Sequence, residues 1–303
     1  MIDVQTQRRA QLIFDLEDLY ARDRGVRGPR PRPLSGVELW VVGEMVDSTL
    51  EAFDAPWRMI TRRNPSGYHL FYGEVELADG KRRSQMAEGT YAVRAEGDYY
   101  QHAVRQDIAL PETRTPYAFD LAPGFRYPFP RESTLSQGRG TTLLRGGVHH
   151  RDGSGIADVT IEVTQASYSY STDDTGQWVL VFPDDVTDSD LTVRFVWPDR
   201  PPTEVDGVPL IQGRDNSLLQ TALRGWVTTD TGVPIRGATV EVVGHTGIVE
   251  TRGDGAWFYY FDPTQPEETV DIELVLPDGR NQIASSILVR PRATVVVPTI
   301  RFS

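Results

Sequence analysis

The sequence predicts an all-β protein built of tandem antiparallel β-sandwiches, and two observations carry that prediction. A polar turn ending in glycine precedes an apolar run with one tryptophan in residues 172–182 (TDDTGQWVLVF) and again in residues 251–261 (TRGDGAWFYYF). Asx-rich residues and a glycine favour a tight turn, and the β-branched and aromatic run suits a buried strand. A looser version stands at residues 64–72 (NPSGYHLFY). Each stretch predicts the central hairpin of one sandwich.

The last two predicted sandwiches align without a gap. Their constant offset is 79 residues, the separation of Gly176 from Gly255. Residues 144–148 (LRGGV) fall on residues 223–227 (LRGWV). Identities at one offset over a whole unit indicate an internal repeat. We therefore predict three domains. The first, residues 1–140, is a β-sandwich with long loops. The other two repeat each other, and we call them the second repeat, residues 141–220, and the third repeat, residues 221–303.

Within the first domain, short alternating or apolar runs bounded by turn residues predict the strands. The proline-rich residues 25–33 predict an irregular loop, and residues 133–140 a flexible linker. Residues 125–130 (FRYPFP) alternate aromatic side chains with prolines that forbid a central strand, so we expect an extended connector pressed on the sandwich surface. The predicted strands lie within residues 11–17, 37–42, 74–77, 89–95, 99–110 and 117–121.

Composition and charge narrow the functional classes. Of 303 residues, 39% are hydrophobic and 24% charged, as is usual for soluble globular proteins. The net charge of −12 argues against nucleic acid as a partner, and the lack of cysteine excludes disulfides and thiolate chemistry. No apolar run is long enough to span a bilayer, and residues 1–9 show no signal-peptide pattern. We therefore expect no membrane partner, and either cytoplasmic synthesis without a signal peptide or export by a route that leaves no such signal.

Residues 223–242 (LRGWVTTDTGVPIRGATVEV), followed by residues 251–261, resemble the carboxypeptidase regulatory-like domains. Those domains are prealbumin-like, seven-stranded sandwiches related in shape to immunoglobulin-like domains. The third repeat matches nearly throughout, whereas the second has residues 156–159 (IADV) where Gly-Ala is expected. The first domain matches only at residues 35–39 and at the Gly67 hairpin. The resemblance implies a tandem prealbumin-like fold and an accessory or structural role, without a catalytic activity.

No catalytic or metal motif emerges from the sequence. None of the five histidines is followed three residues later by glutamate, so the metal motif of the zinc carboxypeptidases that carry such domains is absent. There is no nucleophile elbow and no phosphate-binding glycine loop. Asp184, Asp185, Asp188 and Asp190 offer oxygen ligands for Ca²⁺, but their spacing fits no known loop and favours a solvated turn. We predict a protein that is not an enzyme and needs no cofactor or metal.

The tryptophans divide into two groups. Trp178 and Trp257 occupy matched positions inside apolar strands, which favours core packing over the alternative of sugar-stacking platforms. Trp197 and Trp226 have no tryptophan at the matching position of the other repeat, which favours surface or interdomain contacts.

These observations predict a non-catalytic structural or adaptor protein that contacts other proteins, including copies of itself, in an assembly such as a phage-tail-like or contractile injection particle. The alternative is a carbohydrate-binding or adhesive surface protein. Apolar edge strands invite pairing with another chain, so we place the contact surface on the C-terminal strand or on the aromatic connector. The candidate contact residues are Phe125, Tyr127, Phe129, Trp197, Trp226, Val295, Val297 and Ile300.

Overall fold

The computed structural model describes residues 9–24, 34, 36–84, 86–112, 115–130 and 140–303. It confirms the all-β prediction, since the regular structure of these residues is almost entirely strand. None of their helices is long and apolar enough to cross a membrane. The chain divides into two compact units, Met1–Pro128 and Phe129–Ser303. The predicted loop at residues 25–33 and nearly all of the predicted linker lie outside the described residues.

The eight strands described in the first unit belong to one hydrogen-bonded sheet, whereas the sequence predicts a sandwich of two sheets there. The edge strands of this sheet meet through side chains: Arg105 Nη1 donates to Ala118 O over 2.9 Å, and Ala109 N donates to Tyr117 Oη over 3.0 Å. The elements are β1 (Leu12–Asp18), α1 (Leu19–Asp23), β2 (Glu38–Val46), β3 (Thr49–Arg63), β4 (His69–Glu76), β5 (Arg82–Ser84), β6 (Gly89–Glu96), β7 (Ala103–Leu110) and β8 (Tyr117–Leu121). Their order is β7-β6-β2-β3-β4-β1-β8, with β5 beside β4.

A buried carboxylate, that of Asp18, ties the end of the first unit together. Its Oδ1 caps α1 by accepting from Ala21 N over 2.9 Å. Its Oδ2 accepts from the phenols of Tyr100 and Tyr127, over 2.7 and 2.8 Å. Burial, together with this carboxylate, raises the pKa of both phenols above the ordinary tyrosine value.

The described part of the second unit contains four sheets, two from each repeat. The second repeat has β9 (Leu143–Gly147), β10 (Thr160–Glu162), β11 (Tyr170–Ser171), β12 (Gln177–Val181), β13 (Ser189–Val196), β14 (Thr203–Leu210) and β15 (Asp215–Leu218). The third has β16 (Ala222–Thr229), β17 (Thr239–Val242), β18 (Ile248–Glu250), β19 (Ala256–Tyr260), β20 (Glu268–Val275), β21 (Asn281–Val289), β22 (Thr294–Val296) and β23 (Ile300–Phe302).

Strand order confirms the internal repeat. The sheets β12-β9-β15 and β11-β10-β13-β14 of the second repeat correspond to β19-β16-β22 and β18-β17-β20-β21 of the third, where β23 also pairs with β16. The registers agree as well: Leu143 lies opposite Asp215, and Ala222 lies opposite Thr294, at the same offset of 79 residues.

Matched tryptophans occupy the two cores, as predicted. Trp178 and Trp257 are fully buried. Each indole lies directly over a glycine of the neighbouring strand, Gly146 or Gly225, and a Cβ at Gly225 would come within 2.7 Å of the ring of Trp257. The glycines shared by LRGGV and LRGWV are therefore needed because the indole occupies the space of a side chain.

A buried threonine fixes the turn before each central strand. In the third repeat, Thr251 Oγ1 accepts from Ala238 N over 2.9 Å and donates to Ile235 O over 2.7 Å. Thr172 makes both bonds in the second repeat. The turn then closes at Gly255, whose φ of +74° is readily adopted by glycine, and the predicted tight turn is confirmed.

Candidate interaction surface

The C-terminal strand does not present the predicted side chains to solvent. Val297 and Ile300 are buried in the core of the third repeat, and Val295 packs against that core. The prediction for these side chains is corrected by register. Because Val295 pairs with the buried Leu223, the alternation of the strand turns Val295 and Val297 inward. Val296 faces outward and is 58% exposed.

The aromatic connector, residues 125–130, also has a side chain that is buried and not available on the surface. Tyr127 is buried and donates its hydroxyl hydrogen bond to Asp18, so it is not a surface residue. Phe125 is half-buried. Phe129, which belongs to the second unit, is also half-buried, and the guanidinium carbon of Arg145 lies 5.5 Å from its ring centroid.

Trp226 lies on the outer face of the sheet β19-β16-β22. Leu223, Gly225 and Val227 of β16 are buried, whereas the alternate residues Arg224 and Trp226 are half-exposed. Register places further side chains beside them, because Arg224 is opposite both Phe258 and Val296. We call this surface the β16 face and define it by Arg224, Trp226, Arg252, Phe258 and Val296.

Two arginines are interleaved with the aromatic rings of the β16 face. The guanidinium carbon of Arg224 lies 4.6 Å from the ring centroid of Trp226 and 5.9 Å from that of Phe258. That of Arg252 lies 5.3 Å from Phe258. These distances allow cation–π attraction, yet within the described residues neither arginine forms an ion pair with a carboxylate. Moreover, Nε of Arg224 is buried and has no hydrogen-bond partner there.

One edge of this sheet is open in the described part of the chain. At β19, the second repeat contacts the edge: Tyr260 N donates to Arg151 O over 3.1 Å, and Arg151 Nη1 donates to Tyr260 O over 2.9 Å. At the opposite edge, β22 pairs only with β16 among the described strands. Among the described strands, the outer edge of β22 beside the β16 face therefore has no strand paired to its backbone.

Trp197 lies elsewhere, at the junction of the second and third repeats. Its Nε1 donates to Thr203 Oγ1 over 3.0 Å, and the guanidinium carbon of Arg200 lies 3.6 Å from its ring centroid. Arg200 Nη1 in turn donates to Asp262 Oδ1 of the third repeat over 2.9 Å. Trp197, Arg200 and Asp262 line a cleft of about 340 Å³ between the repeats.

A glutamine fastens the same junction. Gln220 Oε1 accepts from His149 N over 2.8 Å, and its Nε2 donates to His149 O over 3.1 Å and to Phe261 O over 2.7 Å. Burial lowers the pKa of His149, which favours the neutral ring. The charged and polar groups of the cleft thus mainly bind each other and hold the two repeats together.

The calcium alternative, which the sequence favours less than a solvated turn at these aspartates, gains no ligand set from the described residues. Within the described residues, no group of three or more histidine, aspartate or glutamate side chains is placed to hold a metal ion. Asp188 Oδ1 accepts a hydrogen bond from Gln212 N over 2.7 Å.

Of the residues of the β16 face, Trp226 alone is among the candidate contact residues predicted from the sequence. A comparison of the two repeats at matched positions could have identified Phe258 and Arg252, because the residue types differ there. Phe258 stands where the second repeat has Val179, and Arg252 stands where it has Asp173.

No protein-family model and no curated protein matches the chain, so the carboxypeptidase regulatory-like resemblance stays a prediction. Among solved structures, a streptococcal ancillary pilin matches over 95% of this chain and 97% of its own, at 13% identity and a TM-score of 0.22. BcpA, the major pilin subunit of Bacillus cereus, matches over 88% and 98%, at 10% identity and a TM-score of 0.20. The shaft pilin SpaA from Lactobacillus rhamnosus GG, in mutant form, matches over 53% and 97%, at 10% identity and a TM-score of 0.21. At such TM-scores these likenesses carry no conclusion about this chain.

Proposed function

We propose that this chain is a non-catalytic structural or adaptor protein of three modules, residues 1–140, 141–220 and 221–303, which works by contacting other proteins in a larger assembly. The β16 face is the observation that supports the proposal. It joins two half-buried aromatic rings, two arginines without an acidic partner among the described residues, and the exposed Val296.

The composition of the β16 face fits a protein contact. Tryptophan, other aromatic residues and arginine are enriched at protein interfaces and dominate their binding energy. An open strand edge beside such a face adds main-chain hydrogen bonding, which is how strand addition recruits a partner. The hydrogen-bonded junction at Gln220 and Asp262 suits a structural element because it fixes the position of the third repeat on the second.

The biological setting rests on the tandem architecture alone. A phage-tail-like or contractile injection particle is one setting, and a cell-surface adhesive protein is the other. The partly exposed rings of Trp226 and Phe258 also support the carbohydrate-binding alternative, because aromatic rings at a surface can stack on sugar rings. The two alternatives differ in the partner: a protein in the first case, a polysaccharide in the second.

Affinity capture from the native host, with two matched variants, tests the proposal. Val296 on the β16 face and Ile283 on β21 are equally exposed, at 58% and 57%. Val296→Ser should no longer capture the protein partner, or should no longer self-associate when measured by light scattering, because the substitution removes an apolar contact at the open edge. Ile283→Ser should retain both, since β21 lies in the other sheet of the repeat.

The opposite pattern contradicts the proposal. A strictly monomeric chain that captures no protein, yet is retarded in a gel containing a polysaccharide, would favour the carbohydrate-binding alternative. Equal loss of partner binding in both variants would move the contact away from the β16 face.

A further inference from the structure

The second repeat shows how its central arginine is satisfied. Arg145 lies on the outer face of β9, and its Nε lies 3.0 Å from both carboxylate oxygens of Asp215. Asp215 begins β15, the strand that runs parallel to β9, at the register position of Leu143. The carboxylate therefore reaches Arg145 from the neighbouring strand.

The third repeat keeps the arginine and lacks the acid. Arg224 is the match of Arg145, and Thr294 occupies the position of Asp215, opposite Ala222 at the start of β22. A threonine hydroxyl carries no charge, and Arg224 Nε is left buried without an acceptor in the described part of the chain. The backbone geometry of the pair is thus preserved while its negative half is missing.

A second exchange changes the charge of the same face. The turn before β12 carries Asp173, whereas the matched position before β19 carries Arg252. Arg252 is exposed and lies against Phe258, whose ring Arg224 also approaches. The β16 face is consequently cationic, on a chain whose net charge is −12. Buried or half-buried donors left without acceptors are unfavourable, so the face favours a ligand that brings a carboxylate.

We infer that the β16 face binds a protein segment carrying an aspartate or glutamate, whose carboxylate pairs with Arg224 as Asp215 pairs with Arg145. The segment lies along the open edge of β22 and hydrogen-bonds to its backbone as an added strand. A polysaccharide has no peptide backbone and cannot add a strand. This inference rests on the proposed function and specifies the chemistry of the partner. Arginine and carboxylate are well matched, because charge-assisted pairs between them are short and directional.

Thr294→Asp provides the sharpest test, because it supplies the missing carboxylate within the chain. By the register shared with Asp215, the new side chain reaches Arg224 and blocks the site without removing any packing. Thr294→Asn is the matched control, since it has nearly the same shape and no charge. Thr294 is exposed, so both variants should fold, as the fluorine signal of fluorotryptophan-labelled Trp257 would verify.

The probe is an eight-residue peptide of alternating aspartate and threonine, with blocked ends, and its counterpart with asparagine in place of aspartate. Titration is followed at the fluorine signal of Trp226. We expect the aspartate peptide to bind at least about tenfold more tightly than the asparagine peptide, a difference of about 1.4 kcal/mol. Thr294→Asp should abolish that preference and Thr294→Asn should keep it.

Three results would overturn the inference: equal affinity for the two peptides, undiminished binding of the aspartate peptide by Thr294→Asp, or binding of an oligogalacturonate in place of the peptide. Host capture separates this inference from the proposed function. If wild-type chain and Thr294→Asp capture the same protein equally, the carboxylate inference fails and the proposed function stands. If the wild-type chain captures no protein, both fail.

Discussion

Thr251→Val removes one hydroxyl from the core of the third repeat and leaves the shape of the side chain nearly unchanged. Thr251 is 3% exposed, and its Oγ1 is the acceptor for Ala238 N and a donor to Ile235 O. Valine offers neither function. The variant therefore isolates the hydrogen bonds that hold the turn against β17, without opening a cavity.

The expected loss follows from the two bonds. A buried amide left without an acceptor costs about 1–3 kcal/mol, and loss of the bond to Ile235 adds about 1 kcal/mol. We expect Thr251→Val to lower the free energy of unfolding of the third repeat by about 2–4 kcal/mol in all. The same substitution at Thr172, which makes the matched bonds, should cost the second repeat a similar amount.

Thr228→Val is the matched control. Thr228 Oγ1 is buried but has no hydrogen-bond partner within the described residues. Replacing it with a methyl group removes an unsatisfied polar atom, so stability should stay the same or rise by up to about 1 kcal/mol. Opposite effects of one substitution at two positions would show that hydrogen bonding, and not threonine chemistry in general, is responsible.

Urea unfolding of fluorotryptophan-labelled protein measures both repeats in the full chain. The chain has six tryptophans; the signal of Trp257 reports the third repeat and that of Trp178 the second. Repeat-specific signals avoid assuming one two-state transition for a chain of two compact units. Equal midpoints for Thr251→Val, Thr228→Val and the parent protein would refute the account of the turn.

Three further predictions concern the core, the buried phenols and metal independence. Deleting a fully buried indole by Trp178→Ala or Trp257→Ala should cost about 3–5 kcal/mol in the same urea assay; a parent-like transition with loss of glycan binding only would make these rings ligand platforms. Tyr100 and Tyr127 have raised pKa values, so these two groups bind more protons in the native state than in the unfolded chain above the ordinary value of about 10; their contribution to stability should be constant below that pH and fall above it, with the phenolate absorbance of these two residues appearing only on unfolding. Thermal melts with and without a strong chelator should superimpose, and a lower melting temperature on chelation would reveal a bound cation.

Local sequence patterns were enough for the repeated hairpins. The apolar strand behind a glycine turn predicts β12 and β19, and the constant offset between Gly176 and Gly255 extends the prediction to whole repeats. In the first unit, the same patterns located strands but not the sheet. β1 pairs in parallel with β8, which lies about a hundred residues away in the chain, and such non-local pairing has no local signal.

The orientation of the C-terminal strand was also beyond the sequence. Residues 294–297 (TVVV) contain three consecutive valines, so apolarity alone does not tell which of them faces the core. The pairing of Val295 with Leu223 decides it and turns Val296 outward. The β16 face is likewise assembled from two strands, a turn and an edge strand, and only the register brings Arg224, Phe258 and Val296 together.

Site-specific photo-cross-linking tests the central claim, that the β16 face is a protein interaction surface, most directly. A photoreactive amino acid at position 296 should form an adduct with a protein in the native host, and the same group at position 283 should not. Adducts at position 283 but none at position 296, or none at either position in a host where the chain is bound to polysaccharide, would contradict the claim.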